Sequence, residues 1–319
     1  SLLGWLAYPT LRIALAGLPD RGYPLARTAG LLGMAYLAWL AGSLEIPFHR
    51  TTLTIIVLLL LLLGVILAYF QRQELRQEWR ERKRYFLSVE GIALLFFIAF
   101  LLVRLGNPDL WHPWKGGEKP MDFAYFNAIL KSTTFPPYDP WLAEGYLNYY
   151  YFGFVFFGAL VKWLGIMPSI AYNLILPSAF SMVALGAFSI TWNLASARRR
   201  KASQELEPSA PSAIPYYAGI AGALSMAVLG NLGTLRMIWQ GYQRLSDPAL
   251  ADPTVQASFF HKIAAAFDGF FKMAAGANLP YGIGDWYWFP SRLMPPGDDA
   301  ITEFPAFTFT YADPHAHLF

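Results

Sequence analysis

The chain has 319 residues, 55% of them hydrophobic, 17% aromatic and only 14% charged, with a formal net charge of +3. A soluble domain carries about 25% charged residues, so this composition excludes an ordinary soluble enzyme and points to a multi-span membrane protein. No cysteine is present, which removes disulfides, thiol nucleophiles and thiolate metal sites, and the small net charge gives no reason to expect nucleic acid.

In chain order, Ser1–Gly17 is apolar but short for a span, and Pro19-Asp20-Arg21-Gly22 reads as a turn. Thr28–Ile46 is a candidate span, and Thr51–Phe70 is the strongest, a nearly unbroken Ile/Val/Leu run. Gln71–Tyr85 follows with six Arg or Lys against three Glu and reads as a solvated helical extension, cytoplasmic by the positive-inside rule. Phe86–Arg104 is the next span. Glu90 lies inside it, where a carboxylate is costly unless it is paired or faces a cavity.

Leu105–Asn148 is a long polar and aromatic loop, placed on the extracytoplasmic side. Tyr149–Gly165 and Ile170–Leu194 are apolar and separated by a turn at Pro168. Arg198-Arg199-Arg200-Lys201 then opens a Ser/Pro/Ala-rich linker, and Pro215–Leu235 is a further candidate span rich in Gly and Ala. Both basic clusters can be cytoplasmic only if an odd number of crossings joins the long loop to Arg198. The preferred solution is therefore that one of the two apolar segments between them fails to cross. Pro215–Leu235 then leads out again, and residues 236–319 form a second extracytoplasmic or interfacial region. Within it, Val255–Gly276 is amphipathic and suits an interfacial helix or one packed on protein. The chain does not begin with Met and stops in an aromatic-rich stretch, so a single transmembrane domain at the N-terminal part of a longer protein is expected.

Three clusters could carry chemistry. The first is Gly117-Glu118-Lys119-Pro120-Met121-Asp122, in which Glu118 and Asp122 share a helix face if the turn continues past Pro120. A carboxylate partly withdrawn from water at the membrane surface becomes a better proton acceptor, so Asp122 could serve as general base or as metal ligand. The rigid Pro136-Pro137 turn and the tyrosines Tyr149, Tyr150 and Tyr151 follow, and such rings suit a membrane interface. The second cluster is Asp313-Pro314-His315-Ala316-His317. In an extended chain its Asp and both His point to one side, a plausible divalent-metal or phosphate site, with a structural turn as the alternative. The third is Asp285-Trp286-Tyr287-Trp288-Phe289-Pro290-Ser291-Arg292. Its aromatics could stack on sugar or form an interfacial belt, and Arg292 could pair with phosphate.

The combination of Gly117–Phe123, Phe135-Pro136-Pro137-Tyr138-Asp139-Pro140-Trp141 and Asn148-Tyr149-Tyr150-Tyr151 resembles the YYY membrane-protein family of bacteria and archaea, also designated DUF2298. Thr302-Glu303-Phe304-Pro305 with Asp313-Pro314-His315-Ala316-His317 resembles that family's later motif, although the family more often has Leu where this chain has Pro314. The resemblance covers essentially the whole chain. Its layout is in turn similar to the GT-C superfamily of membrane glycosyltransferases, where a span leads into a first extracytoplasmic loop with an acidic catalytic residue near its start. That likeness implies an all-α polytopic transmembrane helix bundle with interfacial helices in its outer loops. It also implies transfer of a sugar from a polyprenyl-phosphate donor to an extracytoplasmic acceptor.

On that reading Asp122, then Glu118, matches the catalytic carboxylate. His315, His317 and Arg292 would meet the donor phosphate, Tyr149, Tyr150, Trp286 and Trp288 would wall the substrate pocket, and Asp313, His315 and His317 would hold a divalent metal such as Mg or Mn. The expected partners are membrane lipid and the lipid-linked donor. Two rivals belong to other classes. A non-catalytic transporter or assembly partner would pair its loop carboxylates, for example Asp122 with Lys119 or Arg104. A metal-dependent lipid-phosphate hydrolase would bind metal tightly at the Asp-x-His-x-His piece.

Overall fold

The computed structural model describes residues 1–111, 117–149, 151–205, 213–230, 232–252, 254–282, 284–291 and 304–314. Helices account for the architecture. Among the described residues there is no strand, and an isolated antiparallel bridge joins Tyr138 to Tyr146. Two compact units are present: Ser1–Val228 together with Thr308–Phe319, and Leu229–Phe307.

The first unit begins with α1 (Leu2–Ala14), α2 (Ala26–Ser43), α3 (Arg50–Phe70) and α4 (Arg72–Gly106). It continues with α5 (Lys119–Lys131), α6 (Tyr151–Leu164), α7 (Pro168–Glu205) and α8 (Ile214–Leu224). Among the described residues of this unit, three helices are long and apolar enough to cross a membrane: α3, α4 and the stretch Pro168–Arg199 of α7. In α3 only 17% of the apolar window is buried, so most of its Leu, Ile and Val surface is left for lipid. The protein is thus a multi-pass membrane protein.

The charged stretch after α3 is a continuous extension of α4, with a break in helical geometry at Arg82 (φ −122°, ψ 18°). It is tied to the first helix. Buried Arg12 reaches Glu74 at 2.6 Å and Glu78 at 3.0 Å, and Arg82 donates to the carbonyl of Pro19 at 2.7 Å. Asp20, expected only to make a turn, is buried. It accepts from Gly22 N at 2.8 Å and from the Ser189 hydroxyl at 2.5 Å, pinning the α1–α2 turn to α7. Glu90 is paired with Arg27 and accepts from the Tyr23 hydroxyl at 2.7 Å, which supplies the partners a carboxylate near the bilayer needs.

Two candidate spans differ from their sequence outlines. The helix in Tyr149–Gly165 is α6, of 14 residues, about 21 Å against a hydrocarbon thickness of about 30 Å. The stretch Pro215–Leu235 is not one helix: α8 ends at Leu224, a π-helical turn takes Ser225–Leu229, and Gly230 turns the chain with φ +58°. The Gly content that suggested close packing also lowers the cost of leaving regular α geometry there.

The second unit contains α9 (Gly233–Ser246), α10 (Phe259–Ala274) and α11 (Asp285–Trp288). Ser258 caps α10 by accepting from His261 N at 3.2 Å. Ala265, Ala266 and Gly269 are buried, whereas Phe259, Phe260, Phe267, Phe270 and Phe271 are exposed. The amphipathic pattern of Val255–Gly276 therefore turns its small residues onto α9 and leaves its rings outside. A Cβ at Gly269 would lie 1.9 Å from the Tyr242 carbonyl oxygen of α9. Gly269→Val forces α9 and α10 apart at a cost of roughly 1–3 kcal/mol. It is expected to speed proteolysis of the connecting residues 247–258, while Gly17→Ala, at a position with open space around it, leaves the digestion rate unchanged.

Candidate functional site

α5 is set by its first turn. Glu118 precedes it, Pro120 falls among the first two helical positions, where its missing N–H costs nothing, and Asp122 N donates to the Glu118 carbonyl at 2.9 Å. The turn thus continues past Pro120 and stacks residue 122 one turn above 118. Asp122 is completely buried and Glu118 is exposed. The same buried face of the helix carries Tyr125, Phe126 and Ile129.

The later motif reaches this turn. Phe309 is fully buried and packs on Phe100 of α4 at 5.7 Å and Phe180 of α7 at 5.2 Å between ring centroids. That anchor sets the chain that follows. Ala312 takes a left-handed conformation (φ 62°), its carbonyl accepts from the Tyr172 hydroxyl at 3.1 Å, and Asp313 N donates to Thr308 O at 3.3 Å. Asp313, 5% exposed, then accepts through Oδ2 from the backbone N–H of Glu118 at 3.3 Å. Residues 195 apart in sequence so meet at the start of one helix.

Positive groups surround this junction. Lys119 is 6% exposed, with Nζ 5.9 Å from the centre of the Tyr311 ring. Burial holds its ammonium below the ordinary lysine range; Asp109 and Asp313 pull the other way and Arg104 adds to the lowering. Arg104, 3% exposed at the end of α4, donates to Asn173 Oδ1 from Nη2 at 2.6 Å and from Nε at 3.0 Å. The side chain named in the non-catalytic rival as a partner for Asp122 is thus engaged with α7. Tyr172 lies within electrostatic reach of Asp122, Asp313 and Arg104. Beside it, Phe126, Phe154, Phe157, Ile175 and Leu176 enclose a small apolar gap with Pro314.

The Lys119 environment has a pH signature. Where the folded state has lost its proton and the unfolded state, near 10.5, still holds it, stability rises with pH. Below the folded value the burial penalty is constant. Thermal denaturation from neutral pH toward 10 is expected to show wild type gaining on Lys119→Met as pH rises, and a flat difference would contradict the buried placement.

Of the other sequence-selected residues, Tyr149 is half-exposed with its ring 6.4 Å from that of Tyr125, one turn along α5 from Asp122. Trp286 and Trp288 are in the second unit, Trp286 packed edge-on against Tyr281 at 5.7 Å. Tyr150, Arg292, His315 and His317 lie outside the described residues. Among the described residues no group of three His, Cys, Asp or Glu could hold a metal ion; the set expected from the sequence has Asp313 here and its two imidazoles beyond. Sequence reasoning missed Tyr172 and Asn173, single polar residues in an apolar run that gave no local signal.

No curated protein and no solved structure matches the chain. Over residues 34–319 it matches the model of a family described as "Uncharacterized membrane protein (DUF2298)". With the spans, the helix α5 that carries Asp122 and the later Asp313 motif, the chain belongs to the DUF2298 family of membrane proteins.

Proposed function

We propose that this protein is a membrane glycosyltransferase of GT-C layout, which moves a sugar from a polyprenyl-phosphate donor to an acceptor hydroxyl, with Asp122 as general base. The observation that carries the reading is the junction of two distant motifs at α5: buried Asp122 one turn from Glu118, and buried Asp313 bonded to the Glu118 N–H. Buried acidic and basic groups gathered beside apolar side chains are a typical setting for catalysis on a lipid-linked substrate. The site faces the extracytoplasmic side. The short α6 supports this, since one crossing by α7 then connects the long loop to the basic cluster at Arg198.

The reaction is a displacement at the anomeric carbon. Asp122 Oδ takes the acceptor's proton, the acceptor oxygen bonds to the anomeric carbon, and the carbon–oxygen bond to the lipid phosphate breaks with its electron pair on the phosphate oxygen. Buried Lys119 and Arg104 supply positive charge against that developing anion, which is where fixed charge lowers a barrier most. His315 and His317 add to the phosphate contacts. Tyr149 and Tyr150 wall the sugar site. A divalent metal, Mg or Mn, would be held by Asp313, an oxygen donor suited to such hard cations, with His315 and His317, and would supply further charge at the phosphate.

The test is transfer in vesicles containing purified full chain, a labelled polyprenyl-phosphate sugar and a hydroxyl acceptor extracted from the host membrane. Label moving to the acceptor supports the reading. Release of free sugar phosphate without transfer favours the hydrolase, and no turnover with any donor sugar favours the non-catalytic rival.

A further inference from the structure

A second polar site lies in the first unit, on residues with no part in the junction at α5. Arg27 of α2 and Glu90 of α4 form an ion pair whose side chains are 13% and 30% exposed. They open onto a cavity of about 470 Å³ lined also by Gly91, Leu94 and Phe97 of α4 and Met182 of α7. The neighbouring hydroxyls are turned away: Ser181 donates to the Ala93 carbonyl and Ser178 to the Leu174 carbonyl, both at 2.8 Å. Polar recognition therefore falls to the pair and to Ser1, which also lines the cavity and accepts from Arg27 at 3.4 Å. The bonds that Arg27 makes among the described residues use Nη2 alone, to Glu90 and Ser1, whereas a guanidinium carries five N–H donors. Glu90 accepts one bond on each oxygen, from Tyr23 and Arg27, and a carboxylate has about four acceptor positions.

The cavity is graded along α4. The charged extension ends at Tyr85, and Glu90 lies four residues beyond Phe86, about 6 Å into the apolar part of the helix. Leu94 and Phe97 follow at about 6 and 10 Å further along the same direction. The polar end thus sits at headgroup depth and the apolar end runs into the hydrocarbon. A purely anionic headgroup would meet the Glu90 carboxylate, and a purely cationic one would meet Arg27. A headgroup carrying both signs satisfies the two together. We propose that this cavity is a binding site for a zwitterionic aminophospholipid, its phosphate on Arg27, its ammonium on Glu90 and an acyl chain along Leu94 and Phe97.

The experiment is native mass spectrometry of the purified full chain in detergent with phosphatidylethanolamine or phosphatidylglycerol of matched acyl chains. Wild type is expected to retain the ethanolamine lipid about tenfold over the glycerol lipid, the scale of one charge-assisted hydrogen bond. Glu90→Gln removes the ammonium partner and is expected to erase or reverse that preference. Gly91→Leu guards against misfolding as the explanation, because a Cβ at Gly91 meets nothing within 4 Å and the added side chain fills the cavity alone; it is expected to lose ethanolamine-lipid retention. Equal retention of both lipids by wild type, a preference for the anionic lipid, or wild-type retention in Gly91→Leu would each overturn the proposal.

Discussion

Asp122→Asn lowers the turnover number for sugar transfer by roughly 10²–10⁴-fold, the usual worth of a positioned general base. The amide keeps the shape of the carboxylate but cannot take a proton. The backbone bond of Asp122 to Glu118 does not depend on the side chain and the amide is isosteric with the carboxylate, so the start of α5 is expected to be kept and the Michaelis constant for the donor to change little. Glu118→Gln is expected to cost much less, since Glu118 is exposed and contributes to the junction through its backbone N–H. The check is initial-rate kinetics in reconstituted vesicles. Full activity in the Asn variant would remove Asp122 from the base role.

Gly117→Val is expected to reduce transfer by about 10²-fold, as a displacement of about 1 Å at a reacting centre does. Gly117 has φ +59°, a conformation that a β-branched residue adopts only with strain. An added Cβ would also lie 2.1 Å from the edge of the Tyr311 ring. Both effects push the chain leading to Asp313 away from the start of α5. Tyr311→Ala in the same background removes the obstructing ring but not the backbone strain, so it should restore part of the lost activity. Thermal stability of the bundle should fall far less than activity, because the core of α4 and α7 is not touched. No rescue by Tyr311→Ala would indicate that the backbone alone accounts for the loss.

The helices that cross the bilayer were legible because their signal is long and local. Thr51–Phe70 is a run of apolar residues that only a lipid-facing helix accommodates, and Phe86–Arg104 is nearly as clear. Glu118 and Asp122 were legible as a pair because a spacing of four, with Pro120 in the first turn, states a helix start. The bend after Leu224 was hidden, since a Gly- and Ala-rich apolar stretch serves a straight span and a broken one equally well. α10 was read correctly as amphipathic, but its composition did not say that alanines and Gly269 would face α9 while the phenylalanines face out. The meeting of Asp313 with Glu118, and the part of Tyr172 and Arg104 beside them, depend on where α4, α5 and α7 end in space. No periodicity carries that information. Asp20 shows the same limit: a turn residue by its neighbours, it is a buried fastener because α7 places Ser189 and Asn193 against it.

The most direct measurement is a cryo-electron microscopy structure of the full chain carrying Asp122→Asn with a polyprenyl-phosphate sugar bound. The expected density has the sugar beside residue 122 and the phosphate against Lys119, with Asp313 reaching it through a divalent metal. A donor bound elsewhere, with residue 122 and Asp313 away from its phosphate and sugar, would contradict a single site built from the two motifs.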